Sequence, residues 1–427
     1  MRYVDGDMIK HILKYIFTFL GMTFLLTGLL VMCAKIPRAA IRENVKESAD
    51  MLCQGELFGC RIEGVNGSII DRYADSILLG IAYSYDSSRP FVSVMESKYY
   101  HRYNYNENEN LLKAVTEECE PNQQYLRYWH GSIALVRPLL QVFNLRQIYI
   151  LNACILALLG IVLLVLLLRQ KAYIPVFGIV LGLVMTSAWF VPYSLEYTWT
   201  YMLMLIFSIL AVVLSNGKRD GLLGPLFMIS GMLTSFMDFL TTETLTLTVP
   251  LLLVLWIIAG QRRPEETSLG KAAAGCGVWL LGYAGMWIMK WLLAAIAMSE
   301  NVMPYVLEHI GERIGGDVGV GAVSSIVGAI GRNIGCLFPL EYGPWGIFAG
   351  FCLIMFALYK GFVYRRYDLD KKRIIAYVLI GMIPYVRYVI IHNHSYIHYF
   401  FTYRAQLGTI VAAVLLLEHL VKGKEKA

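Results

Sequence analysis

Long apolar runs alternate with short polar connections along most of this chain. The hydrocarbon core of a bilayer is ~30 Å thick, so a spanning helix needs roughly 20 mainly apolar residues. Runs of that kind lie near His11 to Val31, Tyr149 to Leu168, Tyr173 to Phe190, Tyr197 to Leu214 and Leu222 to Met237. Others lie near Leu245 to Ala259, Ala273 to Met298, Gly343 to Tyr359, Ile374 to Ile391 and Arg404 to Leu420. They predict an all-α polytopic membrane protein with about ten transmembrane helices. One long polar interruption, from about Ala34 to Gln147, follows the first helix. The chain therefore reads as an N-terminal anchor helix (1–33), a loop subdomain (34–147) and a multi-helix transmembrane domain (148–427), with no internal repeat.

Composition strengthens this reading: 57% hydrophobic and 16% charged residues over 427 exclude a soluble globule. Lys and Arg in the short connections set orientation, because cytoplasmic loops retain positive charge. Alternate connections carry Arg169 and Lys171; Lys218 and Arg219; Arg262, Arg263 and Lys271; Lys360 to Arg373; and Lys422 to Lys426. The connections Val191 to Glu196, Asp238 to Thr244 and His392 to Tyr403 lack Lys and Arg before Arg404. Both termini are expected in the cytoplasm and the loop subdomain outside, in a bacterial cell membrane. The pattern needs an even number of spans. The net charge of +6 follows from the same bias and does not signal nucleic acid. Arg2, Lys10 and Lys14 precede an apolar run that is long for a signal peptide, so the first helix reads as a retained anchor.

Cys53, Cys60 and Cys119 lie in the loop subdomain, where an oxidising compartment permits a disulfide; Cys53 with Cys60 is the nearest pair. Short helices lying on the membrane surface are expected there. A glycine-rich stretch, Ser299 to Tyr342, lacks the ending of a nucleotide-binding P-loop and reads as a connector, with a lid as the alternative.

Ionisable residues near hydrocarbon are costly and mark function or pairing. Asp71 and Asp75 come first, four residues apart and on one face if the segment is helical. Arg127 and His130 follow in Tyr125 to Gly131, then Glu196, Asp238 and Glu243 at helix ends, Lys290 within the seventh run, Glu341, Arg387, His394, His398 and Arg404. All fall toward the side assigned as outer. Trp129, Trp199, Tyr396 and Tyr399 read as interfacial aromatics. Arg387 and Arg404 fit snorkelling and phosphate binding equally well. Lys290 is expected to pair with a carboxylate such as Asp238 or to contact an anionic ligand. His394 and His398, at i and i+4, have the spacing of two metal ligands, but without the His-Glu-x-x-His arrangement; hydrogen-bonding histidines lining a cavity are the stronger reading.

Transfer of a sugar from a lipid-linked phosphate on the outer face fits this set, since such a donor carries its own activation. A carboxylate, Asp71 or Asp75, would take the acceptor proton, and Arg387, Arg404 or Lys290 would stabilise the departing phosphate. A divalent cation bridging carboxylates and phosphate is compatible with the pattern and required by nothing in it.

In this layout the chain resembles the GT-C superfamily of integral-membrane glycosyltransferases, whose members generally place a catalytic acidic residue in the large extracytoplasmic loop after the first helix. Asp71 or Asp75, in Asp71-Arg-Tyr-Ala-Asp75, occupies that position. The resemblance covers most of the chain as topology and implies a polyprenyl-phosphate sugar donor, a glycan, lipid or protein acceptor of the cell envelope, and amphipathic helices in the first loop. Two other classes are compatible: an outer-face acyltransferase or polysaccharide ligase using His130 or His394 as base, and a lipid or solute transporter. The transporter is disfavoured by the one-sided distribution of polar residues and the lack of repeats.

Overall fold

The computed structural model describes residues 6–217, 219–261, 268–315, 319, 321–338, 354–355, 357–359 and 370–421. It begins with α1 (Gly6–Ala34) and α2 (Arg42–Cys53), followed by a hairpin of β1 (Phe58–Cys60) and β2 (Ile69–Asp71). Four short helices complete the loop region: α3 (Arg72–Ser84), α4 (Pro90–Glu96), α5 (Glu107–Thr116) and α6 (Ile133–Leu139). Then come α7 (Leu145–Arg169), α8 (Tyr173–Met185), α9 (Leu195–Asn216), α10 (Leu223–Met237), α11 (Leu245–Gly260) and α12 (Ser268–Met298). Further helices are α13 (Met303–Gly315), α14 (Ala322–Gly335), α15 (Lys371–Ile390), α16 (His392–Ile397), α17 (Tyr399–Thr402) and α18 (Leu407–Val421).

Among the described residues, seven helical segments are long and apolar enough to cross a membrane: Ile12–Ala34, Leu145–Arg169, Leu195–Asn216, Asp220–Met237, Ser268–Met298, Lys371–Ile390 and Tyr399–Leu420. The protein is thus an all-α membrane protein. The runs at α8 and α11 form apolar helices below that length. The eighth expected run, Gly343 to Tyr359, lies largely outside the described residues, as do Glu341 and most of the cationic connection Lys360 to Arg373. Phe24 on α1 is 83% exposed and Leu158 on α7 is 61% exposed, apolar surfaces suited to lipid. By contrast, α9 and α11 are buried along most of their length and form the centre of the bundle.

Local sequence explains the helix starts. Asn144 and Gln147 form a reciprocal capping box at α7, and Asn106 and Glu109 do the same at α5. Asp71 ends β2 and caps α3, its carboxyl accepting from the Ala74 amide at 2.8 Å. The strands pair antiparallel, with Phe58 opposite Asp71 and Cys60 opposite Ile69. The hairpin therefore delivers Asp71 to the mouth of α3. That helix buries Ile77, Leu78, Leu79 and Ile81, and Arg137 of α6 locks its far end by donating to the Ala82 and Ile36 carbonyls.

Helices α10 and α12 cross closely because each offers a glycine at the contact. A Cβ on Gly231 would lie 2.1 Å from the Trp279 carbonyl oxygen, and one on Gly282 would lie 2.2 Å from that of Met228. Close approach through small residues is a general device of membrane helices. Gly282→Val should therefore force these backbones apart and cost about 1–3 kcal/mol. A clear fall in the thermal unfolding midpoint in detergent is expected; an unchanged midpoint would contradict the close crossing.

Three expectations are corrected here. Cys53 and Cys60 are both free, and the Cys60 thiol instead donates to the Ile62 carbonyl at 2.8 Å. Trp129 and Trp199 are not interfacial: they are buried, and the Trp129 indole donates to the Met286 carbonyl at 2.7 Å. Much of the glycine-rich stretch is ordered as α13 and α14, because apolar residues such as Val306 on one side of α13 find a partner surface.

Candidate functional site

Asp71 opens into a cavity of about 410 Å³ at the end of the bundle that carries α3. Three chain segments far apart in sequence build its polar wall. The β2 to α3 turn supplies Asp71, the first turn of α9 supplies Glu196, and the Tyr125 to His130 segment supplies Arg127 and His130. His394 and His398, around α16, close one side, and Glu312 and Arg313 of α13 close another.

Asp71 is only 2% exposed, and burial pushes its carboxyl up to about 6. Hydrogen bonds from the Ala74 amide, the Glu196 carboxyl and the Tyr73 amide oppose that rise by favouring the charged form. The second Glu196 oxygen, Oε2, has no partner in the protein despite being buried. Asp71 and Glu196 thus form a buried carboxyl pair in the wall of the cavity.

The cationic side is equally specific. Arg127 donates to the Tyr125 hydroxyl at 2.8 Å and stacks with its guanidinium carbon 4.5 Å from the Tyr125 ring centre. Its link to Glu312 is looser, at 3.7 Å, and its Nε lacks a partner. The Nε of Arg313 is also buried and unpartnered. The two guanidinium groups, from sequence-distant segments, line the cavity and make this wall cationic, suited to an anion.

The three histidines are neutral. Burial lowers His130 and His398 to about 3, and lowers His394 well below the usual imidazole range, with the nearby His398 and Arg387 adding to the effect. His130 Nε2 lies 2.9 Å from the Tyr125 carbonyl, which assigns the proton to Nε2 and leaves Nδ1 without a partner. His130 also sits at φ +52°, a left-handed conformation that costs a non-glycine residue energy and persists where surrounding structure enforces it. The His394 and His398 rings lie 4.6 Å apart. Among the described residues, no group of three or more His, Cys, Asp or Glu side chains is disposed to hold a metal ion.

Other residues expected at the site stand behind it or elsewhere. Asp75 faces away from the cavity: its carboxyl accepts from the Tyr149 hydroxyl, the Leu195 amide at 2.9 Å and Ser194 Oγ at 3.2 Å. Burial pushes it up to about 7. Asp71 caps α3 instead of lying within it, so the four-residue spacing does not place both carboxyls on one face. Lys290 neither pairs with Asp238 nor reaches the cavity; its ammonium donates to the carbonyls of Val94 and Met95, at 3.1 and 3.0 Å, where α4 ends. Asp238 tightens its own loop by accepting from the Thr241 amide at 3.1 Å, and burial with the neighbouring Glu243 charge pushes it up to about 7.

Arg387 pairs with Glu243 at 2.7 Å and donates to Ser395 Oγ at 2.9 Å and to the Leu240 carbonyl. This network supports His394, whose Nδ1 is 3.5 Å from Arg387, without itself lining the cavity. Arg404 donates to the Gly67 carbonyl at 2.6 Å and lies 4.7 Å from the Tyr197 ring centre, clamping the hairpin to the bundle.

Glu312, Arg313, Tyr125 and Tyr128 also line the cavity, though none is a polar group out of place in the sequence. Their signal was the amphipathic pattern of α13 and the aromatic residues spaced around Arg127. A second, almost wholly apolar chamber of about 190 Å³ adjoins the first. Tyr283, Trp287 and Trp291 of α12 face Val306, Ile310 and Ile314 of α13 across it, and it shares Arg127, Tyr128 and Arg313 with the polar cavity. No protein-family model matches this chain, and no curated protein or solved structure is found to be similar to it. The chemistry must be argued from the site itself.

Proposed function

We propose that this protein transfers a sugar from a polyprenyl-phosphate-linked donor to a glycan, lipid or protein acceptor of the cell envelope, at the outer face of the membrane and in the manner of GT-C glycosyltransferases. The observation that carries this reading is the junction of the two chambers. A polar cavity holding a carboxyl pair meets an aromatic-lined apolar slot at Arg127 and Arg313. An amphiphile with a phosphate between a sugar and a hydrocarbon chain matches that order of environments.

In this reading the isoprenoid chain lies between α12 and α13, and Arg127 and Arg313 bind the phosphate. The acceptor hydroxyl attacks the anomeric carbon as the bond from that carbon to the phosphate oxygen breaks. Asp71 takes the hydroxyl proton, and the phosphate leaves on the lipid with its new charge held by the two guanidinium groups. Glu196 orients Asp71 through the hydrogen bond between their carboxyls. Asp71, near 6, is better matched to proton abstraction at neutral pH than His130 or His398, near 3. That comparison favours sugar transfer over a ligase or acyltransferase that would use His130 as base.

The test is turnover of polyprenyl-phosphate-linked sugars by the purified protein in proteoliposomes, followed as released polyprenyl phosphate. Because the base must be ionised, the rate should rise with pH through about 6 and level off above it. Below that point it should fall roughly tenfold per pH unit. A flat profile between pH 5 and 7 would remove Asp71 as the base.

A further inference from the structure

A second large cavity, of about 490 Å³, lies on the opposite side of the β2 to α3 turn and has no part in the transfer chemistry. Arg61, Arg72 and Arg146 line it, and none of its lining residues is acidic. Among the described residues, none of the three forms an ion pair. Three unneutralised guanidinium groups around one hollow repel each other, so the arrangement favours an anion between them.

The hollow is built to present these groups. The Arg72 guanidinium passes where a Cβ on residue 55 would sit, 1.8 Å away, so Gly55 makes room for it. One Arg72 nitrogen donates to the Glu56 carbonyl at 2.9 Å, which fixes its direction. Arg61 lies over the Tyr193 ring, its guanidinium carbon 5.0 Å from the ring centre. Arg146 stands in the first turn of α7, where the helix dipole adds positive potential.

The rim identifies the kind of anion. Ile150 on α7, with Trp189 and Tyr193, borders the cavity, and all three are largely exposed. Helix α7 is a membrane-span candidate with only 17% of its apolar window buried, so its first turn marks where hydrocarbon gives way to headgroups. A cationic floor beneath an aromatic and aliphatic rim at that level is chemically matched to a phosphate that carries acyl chains.

We propose that this cavity is a specific binding site for the phosphate headgroup of an anionic membrane lipid, separate from the cavity at Asp71. Arg72 follows Asp71 in the chain, and Tyr149, which lines the new site, hydrogen-bonds Asp75. A bound lipid would therefore brace the turn that holds Asp71. The assignment does not depend on the sugar-transfer reading.

The test uses the full-length protein in phosphatidylcholine nanodiscs containing increasing fractions of brominated phosphatidylglycerol. Trp189 quenching is taken as the difference from the Trp189→Phe variant. Saturable quenching is expected at low phosphatidylglycerol fractions, with brominated phosphatidylcholine roughly tenfold less effective at equal fraction. Arg61→Gln with Arg146→Gln should abolish that preference. Both side chains are exposed and make no hydrogen bonds that hold the fold, and each single variant should give an intermediate loss. Equal quenching by the two lipids, or a preference that survives the double substitution, would overturn the site. Full displacement by micromolar inorganic phosphate would assign the cavity to a soluble anion and overturn the lipid proposal.

Discussion

Asp71→Asn should lower sugar transfer by roughly 10²–10⁴-fold while donor binding is retained, the range lost with a general base. The substitution is nearly isosteric. The side-chain oxygen that accepts from the Ala74 amide at 2.8 Å can be kept, so the cap on α3 and the β2 register should survive. What is lost is the carboxylate facing the cavity and its hydrogen bond with Glu196. Asp75→Asn provides the contrast. Its carboxyl is occupied by Tyr149, Ser194 and Leu195, so the change should reduce folding yield or thermal stability while turnover per folded molecule stays within severalfold. Assaying both variants with lipid-linked sugars, after normalising for folded protein, separates the roles. Equal turnover losses, or an unimpaired Asp71→Asn protein, would sink the assignment of Asp71.

The largest stability effect should come from Arg387→Met. Arg387 and Glu243 are 6% and 7% exposed and 2.7 Å apart, and the guanidinium also serves the Leu240 carbonyl and Ser395. Removing one member of a buried ion pair leaves the other charged and uncompensated, at a cost of about 3–5 kcal/mol. Here the stranded Glu243 would also lie near Asp238, whose carboxyl already feels its charge. Adding Glu243→Gln removes that buried charge, so the double variant should recover much of the loss. Thermal unfolding of the single and double variants in one detergent checks this. A single variant as stable as the parent protein would show that the pair is not holding the 238–244 and 392–398 segments together.

Much of the helical architecture was legible because apolar run length is a direct physical requirement of a bilayer. The span-length helices follow the runs from His11, Tyr149, Tyr197, Leu222, Ala273, Ile374 and Arg404 closely. Burial within the bundle was less legible: α8 and α11 carry continuous apolar residues in helices shorter than a span. Several cavity residues were visible as polar groups out of place, among them Asp71, Arg127, His130, Glu196, His394 and His398. Lys290 departs from its expected pairing with a carboxylate because its partners are backbone carbonyls at Val94 and Met95, nearly 200 positions away. Such groups carry no side-chain signature. Arg387 was open to two readings, snorkelling and phosphate binding, because its pairing with Glu243 depends on how α15 meets the 238–244 loop. Glu312 and Arg313 lay hidden in a glycine-rich stretch, and only the packing of α13 against α16 brings them to the cavity. Chain-local patterns therefore marked several chemical groups, while tertiary packing decided which of them meet.

The most direct measurement is an experimental structure of the Asp71→Asn protein with a polyprenyl-phosphate-linked sugar bound. The phosphate should lie between Arg127 and Arg313, the isoprenoid chain along Trp287 and Trp291, and the anomeric carbon should face residue 71 beside Glu196. A donor seated elsewhere, or with its sugar turned away from residue 71 and Glu196, would contradict the sugar-transfer reading.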